Sequence, residues 1–174
     1  MTQTLFVVSE SAPLIKTGGV ADVAGALPGA LTARGTHVRT LLPGYRAVSG
    51  KLGSTKTVAT YDDLFGGPAK LLACKQPGLD LLVIDAPHLY DRDGGIYVDT
   101  SGRDWPDNPE RFAALCYVAA EIAASGADGW TPDIVHGHDW QAGLTPEYMG
   151  VLGADTPFIF TIHNIAFHGN TGAD

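Results

Sequence analysis

The chain has 174 residues, 45% hydrophobic and 17% charged, with a formal net charge of −8. That balance excludes an intrinsically disordered chain and suits one domain with a sizeable core. It also argues against nucleic acid as a partner, because an acidic surface repels phosphate backbones at long range. Any anion bound here must be held by a local device. Cys74 and Cys116 are the only cysteines, both in apolar segments (LLACK and ALCYV), which reads as two buried thiols in a reducing compartment. No apolar run approaches the ~20 residues needed to span a bilayer. The stretch 5–8 lacks the length and basic start of a signal peptide. No membrane partner and a cytoplasmic location are expected.

Residues 5–8 (LFVV) form a continuous apolar run bounded by polar residues, the signature of a strand buried on both faces. Behind Lys16-Thr17-Gly18-Gly19, the residues Val20, Val23, Ala24, Leu27 and Leu31 recur at helical spacing. Pro28 lacks a backbone donor and predicts a kink or a split there. Arg34-Gly35 reads as a basic last turn and a glycine C′ position. Residues 37–42 then read as a second strand, ended by Pro43-Gly44. Strand, helix and strand at this spacing make a βαβ unit with parallel strands.

The runs 56–61, 70–75 and 79–84 are short and apolar-rich. Pro77-Gly78 between the last two fits the centre of a type II turn and predicts a hairpin over 70–84. From Ala86 to Asp107 the chain is polar and reads as a long structureless loop, of the kind that serves a ligand or moves. Asn108-Pro109-Glu110 is a helix start with N-cap, proline at N1 and an acid in the first turn. Phe112, Leu115, Cys116, Ala119, Ile122 and Ala123 mark the apolar side of that helix. Strands are expected at 134–135 and 158–162, with a helix from about 140 to 150 between them. The pattern predicts an α/β fold: a doubly wound, mostly parallel, Rossmann-like sheet with a β-hairpin addition. The strand at 5–8 should lie centrally, with 37–42 on one side, 133–136 on the other and 158–162 beyond it.

In open α/β sheets, ligands bind outside the carboxyl ends of the strands. Three polar clusters fall there: 16–19, then His136-Gly137-His138-Asp139-Trp140, then His163-Asn164 through Gly169. In the first, a helix N-terminus favours an anion, glycines allow close approach and Lys16 adds a point charge. The spacing matches neither G-x-G-x-x-G nor G-x-x-x-x-G-K-[ST], and a tight turn with a solvated lysine reads the same. In the second, His136-x-His138 with His163 could supply three metal ligands. An i, i+2 pair shares a face only while the strand stays extended, and no carboxylate or cysteine motif completes the set. No metal is expected. Trp140 beside Asp139 offers an aromatic face for a sugar ring and a carboxylate for its hydroxyls. A tryptophan capping the core fits equally, and the residues alone leave both readings standing.

Four stretches carry a resemblance: KTGGVADVAGALP at 16–28, DAPHLYDR at 85–92, HGHDWQAGL at 136–144 and TIHNIAFHG at 161–169. In order and spacing they resemble the bacterial glycogen synthase and plant starch synthase family along essentially the whole chain. Val20 stands where leucine is usual after Gly-Gly, and His168 where the family's HNxxxQG has glutamine. The resemblance implies a GT-B glycosyltransferase, two Rossmann-like domains with the active site in the cleft between them. The implied reaction moves glucose from ADP-glucose to the non-reducing 4-OH of an α-1,4-glucan, with retention and without metal or other cofactor. It also implies that Lys16, Gly18 and Gly19 contact the donor's phosphates. Asp22, Tyr97, His138, Trp140 and Asn164 would bind substrate beside a catalytic Asp139 and His163.

On this reading residues 1–174 are an incomplete N-terminal catalytic domain, inactive alone. The C-terminal nucleotide-binding domain, with its Arg/Lys pair and glutamate, has no matching motif here. The alternatives are a glucan- or nucleotide-binding module without turnover, or a related GT-B transferase using another nucleotide sugar. Without its partner domain, the cleft face should be open to solvent and partly disordered around 163–174.

Overall fold

The structure, a computed structural model, describes residues 1–169. The apolar run at 5–8 is fully buried and lies in and just past β1 (Thr2–Val7). β1 pairs in parallel with β2 (Thr36–Pro43) on one side and with β6 (Ile134–His138) on the other. β7 (Phe158–Thr161) adds in parallel beyond β6, and β5 (Leu79–Asp85) in parallel beyond β2. The expected central strand and its neighbours are therefore in place. Gly78, at φ +78°, turns β4 (Ala69–Gln76) antiparallel onto β5, as position i+2 of a type II turn requires. β3 (Thr55–Tyr61) closes that side antiparallel to β4. The whole sheet has seven strands in the order β3-β4-β5-β2-β1-β6-β7.

The crossovers on the two sides of β1 run in opposite directions across the sheet. Right-handed connections then place α1 (Val20–Thr32) and α4 (Asn108–Ser125) on opposite faces, with α5 (Thr145–Leu152) beside α4. The crevice between the carboxyl ends of β1 and β6 is the topological switch point, where such sheets bind ligands. α1 is pressed onto the chain leaving β1. Ala12 N–H donates to Ala21 O at 2.9 Å, and a Cβ on Gly25 would stand 2.4 Å from Ala12 O.

Several boundaries differ from expectation. α1 is not split at Pro28, which sits buried inside it; the Thr32 hydroxyl donates to Pro28 O at 2.9 Å. α1 ends at Thr32 with Ala33 as C-cap, so Arg34 lies past the helix and Gly35, at φ +87°, one place beyond C′. Asn108 is not the N-cap of α4. Asp107 is, because the Asn108 side chain is drawn inward, donating to Tyr97 O at 2.9 Å and accepting from Arg111 at 2.6 Å. The helix expected over 140–150 is two pieces, a 3₁₀ turn at Trp140–Ala142 and then α5, which has a proline in its first turn.

The segment 86–107 is not structureless. A short helix α2 (Arg46–Ser49) follows β2, and another, α3 (Pro87–Tyr90), opens this segment, which also contains an antiparallel bridge between Val98 and Asp104. Its order comes from Arg111 in α4, 1% exposed, whose guanidinium donates to Leu89 O at 2.8 Å and Ile96 O at 2.9 Å. Both cysteines are buried and unpaired, as expected.

Candidate active site

β1 runs out into Ser9 and Glu10, which are 1% and 2% exposed. The Glu10 carboxylate turns onto the loop that follows. Oε2 accepts the N–H groups of Thr17 and, at 3.1 Å, Gly18; Oε1 accepts the Thr17 hydroxyl at 2.9 Å and the Tyr97 hydroxyl at 3.1 Å. The Tyr97 oxygen lies 2.7 Å from Ser9 Oγ. The first polar cluster thus reaches into the 86–107 segment. Sequence reasoning missed Glu10 and Ser9. The available signal was an acid directly behind a buried strand, where a carboxylate must find donors. Gly18 N–H is already used by Glu10, while no side chain caps α1. Lys16 places its ammonium 2.7 Å from both Asp22 oxygens, each side chain more than half exposed.

At the end of β6, His136 and His138 project from the same face with their imidazoles stacked, centroids 4.1 Å apart, and Phe6 packs against both. His138 is 1% exposed, and its Nδ1 lies 2.9 Å from His163 Nε2. Burial, reinforced by His136 and His163, pushes the His138 pKa down to about 3, so this imidazole is neutral at physiological pH. The stacked rings direct nitrogens toward neighbours rather than to a common point. Among the described residues no group of three or more His, Cys, Asp or Glu has the geometry to hold a metal ion.

Asp139 has φ +57° and ψ −179°, a backbone region otherwise almost confined to glycine. The conformation aims its carboxylate at the chain leaving β7. Oδ1 accepts His163 N–H at 2.6 Å and Asn164 N–H at 3.4 Å. Asn164 Oδ1 in turn accepts Ala166 N–H at 2.8 Å. The second and third clusters are therefore one unit. Residues 163–169 lie mostly open to solvent, as expected, with this turn ordered by Asp139 and Asn164. The part of that expectation covering 170–174 lies outside the described residues.

Trp140 joins the halves. Its ring stands 6.5 Å from Tyr97 and 5.0 Å from Phe112 of α4. Gly169 passes so close that a Cβ there would meet the indole at 2.2 Å. Behind it opens a mainly apolar cleft of about 470 Å³, between Phe112 and Cys116 on one side and Phe160, Ile162 and Phe167 on the other. Of the expected site residues, Gly18, Tyr97 and Trp140 are linked through Glu10 and ring packing, and His138, Asp139, His163 and Asn164 through the β6–β7 lock. Lys16 and Asp22 are joined to each other, and Gly19 precedes the open first turn of α1.

The model of the starch synthase catalytic domain matches residues 3–174. The chain belongs to that family. Among its starch synthase relatives, the glycogen synthase of Jannaschia sp. (strain CCS1) is 63% identical over 174 residues, 100% of this chain and 36% of that protein. The glycogen synthase of Paracoccus denitrificans (strain Pd 1222) is 56% identical over 170 residues, 97% of this chain and 36% of that protein. The catalytic domain of starch synthase IV from Arabidopsis thaliana, solved bound to ADP and acarbose, is similar at TM-score 0.73 and 27% identity. That match covers 95% of this chain and 34% of that one. The chain thus spans about a third of the length of these relatives. Its sheet is that of the GT-B catalytic domain of starch synthases, the fold the motifs implied. Among the described residues no helix is long and apolar enough to cross a membrane.

Proposed function

We propose that this chain acts as the N-terminal part of a cytoplasmic glycogen synthase. The whole protein transfers glucose from ADP-glucose to the non-reducing end of an α-1,4-glucan, with retention and without a metal. The observation that carries this reading is the Asp139–His163 lock at the carboxyl ends of β6 and β7, beside Trp140, which lies 6.5 Å from the Tyr97 ring that Glu10 ties to the loop before the uncapped start of α1. A leaving diphosphate gains charge as the glycosidic bond breaks, and a preorganised helix end with a cation stabilises that charge. The N–H groups that serve are those from Gly19 onward, since Gly18 is taken. Lys16 exchanges Asp22 for phosphate, an exchange that costs little because both side chains are exposed.

On the sugar side, Asp139 Oδ1 is used by the loop, which leaves Oδ2 for a glucose hydroxyl. His163, backed by His138, and Asn164 present polar edges to the same ring, and Trp140 with Tyr97 gives it an aromatic wall. A second domain, beyond the span of this chain, supplies the base contacts that select ADP. The test is titration of the chain and of the full-length protein with ADP-glucose and maltooligosaccharide. Glucosyl transfer by the full-length protein is expected; binding without transfer would favour the module reading.

A further inference from the structure

We infer that Glu10 is the positioning residue of this site: an internal carboxylate that fixes the 16–19 loop and the Tyr97 hydroxyl in one arrangement without touching substrate. The inference rests on the glucosyl-transfer reading. Glu10 is 2% exposed, so its charge must be matched by donors inside the protein. Every donor it receives is neutral, and they come from two segments far apart in sequence. Thr17 gives an N–H and a hydroxyl, Gly18 gives an N–H, and Tyr97 gives a hydroxyl.

The direction of each bond follows. A carboxylate only accepts, so Tyr97 donates to Glu10 and Ser9 donates to Tyr97. This fixes the Tyr97 ring beside Trp140. On the other side, two consecutive peptide planes are pinned immediately before α1, which sets the direction in which the N–H groups of its first turn face out. The same bonds decide where an anion can sit. With Thr17 and Gly18 N–H occupied by a carboxylate, a phosphate is excluded from them and must take the groups that follow. Glu10 thereby sets the register of the donor on the helix end.

The arrangement needs an acceptor at the end of a side chain of this length. Aspartate is one methylene too short to reach both segments and alanine offers no acceptor, whereas glutamine can keep the two N–H contacts with its carbonyl oxygen and reverse the two hydroxyl bonds through its NH₂. Amide hydrogen exchange on the chain, read by NMR, tests the geometry. Thr17 and Gly18 N–H should exchange roughly a hundredfold more slowly than Gly19 N–H, and E10A should abolish that protection. In the full-length synthase, E10A should lower kcat by roughly tenfold or more with the KM for ADP-glucose changed less, and T17V should fall between. Fast exchange at Thr17 and Gly18 in the wild-type chain overturns the inference, as does a kcat within about threefold of wild type in E10A. Should E10A fail to fold, the wild-type exchange pattern and T17V decide the matter. A wild-type full-length protein that transfers no glucose would defeat the functional reading, and the exchange pattern would then judge Glu10 alone.

Discussion

Lys16 and Asp22 form an exposed ion pair, and such pairs contribute at most about 1 kcal/mol to stability. Lys16→Ala should therefore leave the thermal midpoint nearly unchanged. On the proposed reading it removes a charge-assisted phosphate contact worth about 2 kcal/mol, so kcat/KM of the full-length protein for ADP-glucose should fall by roughly thirtyfold. Wild-type kinetics in that variant would return the lysine to a merely solvated turn. His138 makes a second residue-level prediction. Burial, first, and then His136 and His163 hold its pKa at about 3, against an ordinary value near 6.5. As pH falls through about 6.5 the unfolded chain takes up a proton that the folded chain refuses. Stability then declines by up to about 1.4 kcal/mol per pH unit until the folded pKa is reached. His136, also lowered by burial, adds in the same direction. The urea midpoint should drop between about pH 7.5 and 5, and His138→Gln should flatten the slope. A midpoint that rises on acidification would contradict the buried neutral imidazole.

Among the elements, α1 separates two kinds of glycine. A Cβ at Gly25 would press on the Ala12 carbonyl at 2.4 Å, a backbone atom that cannot rotate away, whereas at Gly29 the nearest atom is 4.0 Å distant. Gly25→Ala should destabilise by about 1–3 kcal/mol, despite the better helix propensity of alanine. Gly29→Ala should stabilise by up to about 1 kcal/mol. Thermal unfolding of the two variants checks both signs. The same contrast explains what was legible in the sequence. β1, β2 and the β4–β5 hairpin announce themselves, because continuous apolar runs and Pro77-Gly78 are local signals. The start of α4 misleads by one residue, since Asn108 spends its side chain on Tyr97 and Arg111 rather than on its own helix. The 86–107 segment looks formless because its order is imposed by Arg111, from the next element. In the site, the Asp139, Trp140 and His163 cluster was visible as polar residues at strand ends. Glu10 was not, since its three partner residues, Thr17, Gly18 and Tyr97, lie in two segments that only the fold brings together.

At the scale of the whole molecule, the proposed function makes the described residues one wall of a cleft. Positioning donor and acceptor together accounts for up to about 7–11 kcal/mol of a barrier in favourable cases, and one wall fixes neither partner against the other. The 174-residue chain should show no incorporation of labelled glucose into maltooligosaccharide, while the full-length protein should. Turnover by the chain at rates like those of the whole enzyme would refute the division of labour proposed here. The same architecture bears on how the protein is made. β1, the central strand, pairs early with β2, but its other neighbour is β6, and Gln3 N–H waits for Asp133, 130 residues later. At a synthesis rate of about 5–20 residues per second, one edge of the nascent sheet stays without its partner strand for some ~5–20 s. During that interval a chaperone or a wrong strand can reach the fully buried residues of β1, which makes translation speed across 44–138 a determinant of yield.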